Sequence, residues 1–440
     1  MNDYPGLHCD VPSELYSLGY APKPDWSRTY APQAEIREYL EDVATRFNIL
    51  DHVQLNTEVS DARWTESEGY WVVSTAAGER YHARVLVAAP GFIGEAEMPE
   101  FPGQKHFKGT IFHSGMWNHQ HDLRGERVAV IGCGASAIQF LPAIQPLAKE
   151  VISLQRTPSW VLPKPDFAMP DAIGKLFQRL PALQRLVREA GLWGLEPSLP
   201  LFMNEKLLRR LSHPLGIWNI NRSIQDPELR RQLTPKHTLG CKRPLFSNDW
   251  YSALAQPNVT VVFQGLKQIT KAGVVTEDGS EVAVDTIIFG TGYAVEEPTI
   301  YRILHGADGR SLSQHWQGQP RAYQGVSIHG FPNLFMMLGP NSHSVQGSVM
   351  WTCEHQAIYI AQAVRQLFDG GMTRFEVQKS VQDRFNETID KRLVRMPIRP
   401  EVCSSYYLDK SGRNQFVWPE FGAVIKHRLT HFELDDYQVR

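Results

Sequence analysis

The sequence predicts an α/β protein, and three observations carry that expectation. Strand-like apolar runs alternate with helical periodicities along most of the 440 residues. One run, at 85–89, is continuously apolar and closes on Pro90-Gly91, the pattern of a strand buried on both faces of a parallel sheet. Another, at 128–131, meets Gly132-Cys133-Gly134-Ala135-Ser136-Ala137 and passes straight into a helical pattern.

Taken in order, Pro32-Gln33 opens a helix with Ile36, Leu40, Val43 and Phe47 spaced by three or four. Strands are expected at 53–59, at 70–75 after the Glu68-Gly69 turn, and at 85–89. Residues 93–126, rich in Pro, Gly and His, read as a connector. Strand 128–131 begins a new unit, followed by a helix from Ile138 and a strand at 151–154. Residues 166–236 read as a helical, basic and amphipathic insertion that covers a site, with Leu176, Leu180, Leu183, Leu186 and Val187 on one stripe. Strands return at 259–263, 286–289 and 334–338. The last two end in Gly290-Thr291-Gly292-Tyr293 and Gly339-Pro340-Asn341, and a helix follows over about 352–368. No repeat of solenoid period occurs.

Length predicts two or three domains. A hydrophobic fraction of 42%, a charged fraction of 21% and a net charge of −2 describe a globular protein and argue against a nucleic-acid partner. Cys9, Cys133, Cys241, Cys353 and Cys403 form no CxxC pair, which excludes a disulfide framework and a zinc ribbon. Reduced thiols and a cytoplasmic location are the expectation. The N-terminus does not read as a signal peptide. No apolar run approaches the roughly 20 residues of a membrane helix, so stable membrane insertion is not expected. His119-x-His121 has no further ligands nearby, and no metal site is expected.

Gly132-x-Gly134-x-x-Ala137 between a strand and a helix is a dinucleotide fingerprint. Gly132 permits the tight turn, Gly134 lets the backbone approach a pyrophosphate, and Ala137 allows close helix–strand packing. Ser136 sits at the helix start, where free N–H groups face the phosphates. An NAD site would carry an acid after the second strand. Here Gln155-Arg156-Thr157 stands there, and Arg156 can fork onto a 2′-phosphate. The expected cofactor is therefore NADPH, with Arg156 and Thr157 at its ribose. The plain alternative for Arg156 is a solvated residue at a strand end.

Upstream lies Phe107-x-Gly109-x-x-x-His113-x-x-x-Trp117-Asn118. It resembles the fingerprint of Baeyer–Villiger monooxygenases, flavoenzymes that insert oxygen beside a ketone, although Pro or Asp usually follows Trp in that family. Tyr4-Pro5-Gly6-x-x-Cys9-Asp10-x-x-Ser13, Gln155-Arg156-Thr157-Pro158, Cys241-Lys242-Arg243-Pro244, Gly290-Thr291-Gly292-Tyr293 and Tyr407-Leu408-Asp409 through Trp418-Pro419 resemble family motifs in the family's order. The resemblance spans the whole chain. It implies two Rossmann-like dinucleotide domains with a helical insertion. Residues 1–100 and 325–440 would form a discontinuous FAD-binding domain, and 101–324 an NADP-binding domain carrying the insertion at about 166–236. Such enzymes open with a FAD-binding strand–GxGxxG–helix unit. That βαβ element is absent from these 440 residues, and no second GxGxxG follows a strand.

The resemblance also implies roles. NADPH reduces FAD, and a peroxyflavin formed with O2 attacks the ketone. Arg243, matched to Cys-Lys-Arg-Pro, would be the fixed catalytic cation. Asp10 would be the acid orienting it. Lys242 would face the 2′-phosphate beside Arg156. Gln33, Gly292 and Asn341 complete the expected cofactor contacts, and His113 with its fingerprint neighbours is expected at an interdomain hinge. Pocket walls would come from the insertion and from loops at 340–350 and 395–402. Three other readings stand beside this one: an N- or S-oxygenating flavin monooxygenase, an inactive NADPH-binding fragment unable to hold FAD, and a flavin-free NADP dehydrogenase. No general-acid constellation supports the last.

Overall fold

The computed structural model describes residues 2–91, 94–293, 297–344, 347–401 and 405–440. Helix α1 (Gln33–Arg46) buries Tyr39 and Val43, while Leu40 and Phe47 of the expected stripe are exposed. Tyr39 takes the inward position because its hydroxyl is used twice. It accepts from the Leu18 N–H (2.8 Å) and donates to the Ala21 carbonyl (2.7 Å), which fastens the N-terminal segment to the helix. An antiparallel ribbon follows: β1 (Val59–Thr65), β2 (Tyr70–Thr75) and β3 (Arg80–Ala83). The strand expected at 53–59 begins only at Val59. Asn56 is left-handed (φ +54°), and Val53 and Leu55 are solvent-exposed, so no apolar face holds this stretch in a sheet. Strand β4 (Leu86–Ala88) pairs in parallel with Leu334–Met336. Its central Val87 is 44% exposed, so β4 is not buried on both faces as expected.

A five-stranded parallel sheet occupies the middle of the chain. Its strands include β5 (Thr110–His113), β6 (Arg127–Ile131) and β7 (Glu150–Leu154), in the order Val259–Val262, β7, β6, Thr286–Phe289, β5. Strand β6 reads as an unbroken apolar run because both faces are covered. Val128 and Val130 enter one core, Ala129 and Ile131 the other. Strand β5 lies in the stretch expected to be a connector. Gly109 explains its tight approach: a Cβ there would lie 2.0 Å from the Asp285 carbonyl oxygen. The parallel register brings the ends of β5, β6, β7 and Thr286–Phe289 to one edge.

The insertion is helical as expected: α3 (Asp171–Arg179), α4 (Pro181–Leu195), α5 (Ser198–Phe202), α6 (Glu205–Ser223) and α7 (Pro227–Leu233). Its expected apolar stripe does not face the protein. Leu176, Leu180, Leu186 and Val187 are exposed, whereas α3 and α4 bury Gly174, Phe177, Gln184 and Arg188. Polar contacts dock α4 in place of an apolar seam. Arg188 donates to Glu354 (2.8 Å), which also accepts from the Gly19 N–H (2.8 Å), and Gln184 donates to Glu14 (3.0 Å) and the Lys23 carbonyl (2.7 Å). Cys9, Cys133 and Cys353 carry free thiols, whereas Cys241 is disulfide-bonded, against the expectation for all five.

Burial pushes the Glu14 carboxyl up from 4.5 to about 7, against the hydrogen bond from Gln184 and the charge of Arg188. The folded protein therefore holds a proton that the unfolded chain releases between these values. Stability falls as pH rises through that window, by a span on the order of 3 kcal/mol at most. Glu14→Gln is expected to raise the thermal midpoint at pH ~8 and leave it unchanged at pH ~4. Equal midpoints at the higher pH would show that Glu14 is not held protonated.

Candidate functional site

The edge where the parallel strands end gathers the residues expected to contact a dinucleotide. Gly132 follows β6 with φ +113°, and a Cβ there would lie 2.5 Å from the Gly290 carbonyl oxygen. Gly290 is itself close-packed, since a Cβ on it would meet the Ala137 Cβ at 3.3 Å. Gly134 differs: the nearest atom to its Cβ position is 4.0 Å away, so the fold alone does not demand glycine. The backbone N–H groups of Gly134 to Ala137 donate to no acceptor among the described residues. They open helix α2 (Ala137–Ile144) with a free anion cradle. Ser136 stands at its N-cap, and its hydroxyl interacts with Tyr4 and Tyr293.

Arg156 and Thr157 follow β7 and are exposed. Arg156 has no carboxylate partner among the described residues. The Cys133 thiol donates to the Thr157 carbonyl (3.2 Å), tying the Gly-rich loop to the Arg156 turn. Burial raises the Cys133 thiol, and the charge of nearby Lys242 opposes that rise. Lys242 also helps to depress His237, whose burial is the larger cause, to about 4. Arg156 and Lys242 thus border the same loop. An open Gly134, unspent N–H groups and two cations fit a dinucleotide carrying a 2′-phosphate.

The next residue, Arg243, serves a different neighbourhood. It pairs with Asp10, 233 positions away. Burial works against its charge, but the Asp10 carboxylate holds it firmly protonated. The groups around it are neutral. Burial and then the Arg243 charge push His343 down to about 4. Burial and then Tyr406 push Tyr407 well above its ordinary value, against Arg243, and burial likewise raises Tyr4 and lifts Tyr16 to about 12. The pair is therefore a fixed cation with one carboxylate behind it and neutral walls. The sequence pointed to Asp10 and Arg243, but not to Tyr16, His343 or Tyr407 as their company. No local spacing links those five residues.

The fingerprint occupies β5 and the turn after it, not a free linker. His113 is 0% exposed. Its Nδ1 accepts from the Gly115 N–H (3.0 Å), and its Nε2 lies toward the Gly292 backbone without completing a hydrogen bond. Burial depresses it, so it is neutral. Phe107 packs against the second face of the sheet, and Trp117 against Phe112 and Phe140 with ring centroids 5.0 and 5.4 Å away. Asn118, which departs from the usual residue, forms the turn: its Oδ1 accepts from the Gln120 N–H (3.2 Å). His121 is tied into the fold. It bonds Thr286 (2.8 Å) and Glu126 (3.0 Å).

Gly292 follows Thr286–Phe289 with φ +103° and open space at its Cβ position. Asn341 is 1% exposed; its amide donates to the Asn414 and Val417 carbonyls, and its Oδ1 accepts nothing among the described residues. Before it, Leu338 is left-handed (φ +56°), a strained turn after Leu334–Met336. Gln33 opens α1, its N–H bonded to the Leu7 carbonyl (2.9 Å). For FAD these residues supply part of a site. The one Gly-rich strand–turn–helix unit among the described residues fits NADP, so no phosphate cradle for FAD is assigned among them. Of the expected wall loops, 345–346 and 402 lie outside the described residues.

The model of the flavin-binding monooxygenase-like family matches residues 4–171. Baeyer–Villiger monooxygenases of Pseudomonas aeruginosa and Streptomyces coelicolor are each 40% identical over 100% of this chain and 84% of their own length. A solved steroid monooxygenase bound to NADP is similar in fold, with a TM-score of 0.89 and 27% identity over 100% of this chain and 91% of that one. A flavin-binding monooxygenase is the class that this sheet edge and these relatives define. The chain belongs to its Baeyer–Villiger family, whose cofactors are FAD and NADPH.

The two glycines give a contrast. Gly132→Ala is expected to cost more than about 2 kcal/mol, because its Cβ strikes the Gly290 carbonyl at a positive φ. Gly134→Ala is expected to leave the thermal midpoint nearly unchanged and to weaken NADPH binding by about tenfold or more. Unweakened binding by Gly134→Ala in a fluorescence titration would remove the pyrophosphate from this loop.

Proposed function

We propose that this chain oxygenates ketones, converting them to esters or lactones with NADPH and O2, and that it acts in the cytoplasm. The carrying observation is the Arg243–Asp10 pair among neutral groups. Nucleophilic attack on a carbonyl carbon moves negative charge from the attacking oxygen onto the ketone oxygen. Transfer to an amine or sulfide places none on the acceptor at attack. A permanent cation with few competing charges suits the first case.

When bound, FAD supplies the chemistry by taking a hydride from NADPH and activating O2. The chain's own residues hold and orient. The N–H groups at 134–137 take the NADPH pyrophosphate, with Gly132 setting the turn and Ser136 and Ala137 the helix start. Arg156, Thr157 and Lys242 take the ribose and its 2′-phosphate. Gln33, Gly292 and Asn341 are further cofactor contacts, with Asn341 on the flavin side. Asp10 aims the Arg243 guanidinium, and Arg243 bears the charge that grows on oxygen. His113, Trp117, Phe107 and Gly109 fix β5 at the edge of the sheet, against Thr286–Phe289. Residues 1–100 and 325–440 form the flavin half, and 101–324 the NADP half.

The experiment supplies the chain with FAD, NADPH and isotopically labelled O2. A cyclic ketone is compared with a tertiary amine and a thioether. Label in a lactone is expected. Label only in an N-oxide or sulfoxide would move the activity to heteroatoms, and a protein that binds NADPH but retains no flavin and yields no product would refute the proposal for this chain.

Two substitutions follow. Arg156→Ala and Lys242→Ala are each expected to raise KM for NADPH about tenfold to a hundredfold, with little effect on NADH. Arg243→Met is expected to leave NADPH binding intact while abolishing ketone oxygenation. Lactone formation at wild-type rate in Arg243→Met would exclude the cation from the reaction.

A further inference from the structure

The insertion carries a face that neither the core nor the cofactor residues use. Of the thirty large apolar residues exposed among the described residues, ten lie within 171–223, about an eighth of the chain. Scattered exposure is ordinary for a protein surface, but such concentration marks an interaction face. On α6, Leu207, Leu211, Leu215 and Trp218 recur at spacings of four, four and three, and each is 42–54% exposed. That stripe is held rigidly. The inner side of α6 buries Leu208, Gly216, Asn219 and Ile220; a Cβ on Gly216 would strike the Trp160 ring at 2.5 Å; and Asn219 donates to the Val161 carbonyl (3.0 Å).

Cations border the stripe. Lys206, Arg209, Arg210 and Arg222 are exposed, and none of the first three has a carboxylate within ion-pair distance among the described residues. The Arg222 guanidinium lies over the Trp218 ring at 5.0 Å. Residues 171–223 hold eight Lys and Arg against four Asp and Glu, a balance of +4 in a chain whose net charge is −2. An apolar row with Trp at its end and cations alongside is the composition of a helix lying in a membrane interface.

We propose that this face of the insertion binds the surface of an anionic phospholipid bilayer. Leu207, Leu211, Leu215 and Trp218 enter the acyl boundary, and the Lys and Arg side chains meet headgroup phosphates. Charge selects this occupant over a second copy of the chain, because a two-fold contact would set the +4 segment against itself. The contact lies in the plane of the membrane, since no helix among the described residues is long and apolar enough to cross one. It is independent of the oxygenation chemistry.

The test is flotation of the full chain with vesicles of phosphatidylglycerol and phosphatidylcholine, against phosphatidylcholine alone. Recovery with the anionic vesicles is expected, and it falls as salt rises. Leu211→Gln with Leu215→Gln is expected to weaken binding by about two orders of magnitude. Arg209→Gln with Arg210→Gln, which keeps the apolar stripe, is expected to weaken it about fivefold per charge. Brominated lipid is expected to quench Trp fluorescence less in Trp218→Ser. No flotation with anionic vesicles would overturn the proposal, as would flotation indifferent to both double variants. Self-association without lipid that Leu211→Gln with Leu215→Gln abolishes would assign the face to a second copy instead.

Discussion

The joint between the Tyr4-Pro5-Gly6 turn and helix α2 governs where the chemistry sits. Gly6 is left-handed (φ +78°), and a Cβ on it would lie 2.6 Å from the Gln139 carbonyl oxygen, so the turn rests directly on the helix backbone. Gln139 grips it from both sides. Its Oε1 accepts from the Tyr4 hydroxyl and its Nε2 donates to the His8 carbonyl, each at 3.0 Å. The helix whose N–H groups are proposed to meet NADPH is therefore the one that fixes the segment carrying Asp10. Asp10 in turn holds Arg243. Cofactor cradle and proposed catalytic cation are two ends of one short mechanical chain.

The basic motif Lys242-Arg243 divides its labour within that arrangement. The charge of Lys242 is felt by Cys133 and His237, that of Arg243 by Asp10, Tyr407 and His343. Adjacent cations would weaken one another in one small site. Sent to different neighbourhoods, one is available to a phosphate and the other is balanced by a carboxylate. The insertion is fastened by the same kind of sparse polar contact. Glu354 receives both Arg188 and the Gly19 N–H, joining α4, the N-terminal segment and the helix Val349–Asp369.

Much of the central sheet was legible. The apolar runs at 128–131, 151–154 and 286–289 are strands of the five-stranded sheet, and Gly132, Ala137 and Arg156 fall where their spacing places them. Such features are local, because a buried strand and a tight turn leave their mark within a few residues. What failed was non-local. Strand β5 is short and, among the described residues, partnered only by Thr286–Phe289, so its own composition reads as loop. The insertion stripe has helical period but faces outward, and periodicity reports that a face exists without saying what covers it. The company of Arg243 is drawn from residues 4, 10, 16, 343 and 407, a set no spacing rule collects. Its two principal members were reached through family resemblance.

The contact between Gly132, Gly290 and Ala137 has an evolutionary consequence. The first two approach through backbone atoms, and the third fills the remaining space with a single methyl group. A larger side chain at any one position would need compensating movement of two separate strands and a helix. Genetic drift therefore cannot explore these sites one at a time. Lineages that diversify the pocket must do so through elements whose packing is looser, such as the insertion and the turns beyond each strand. The tightest point of the fold thereby confines innovation to its periphery.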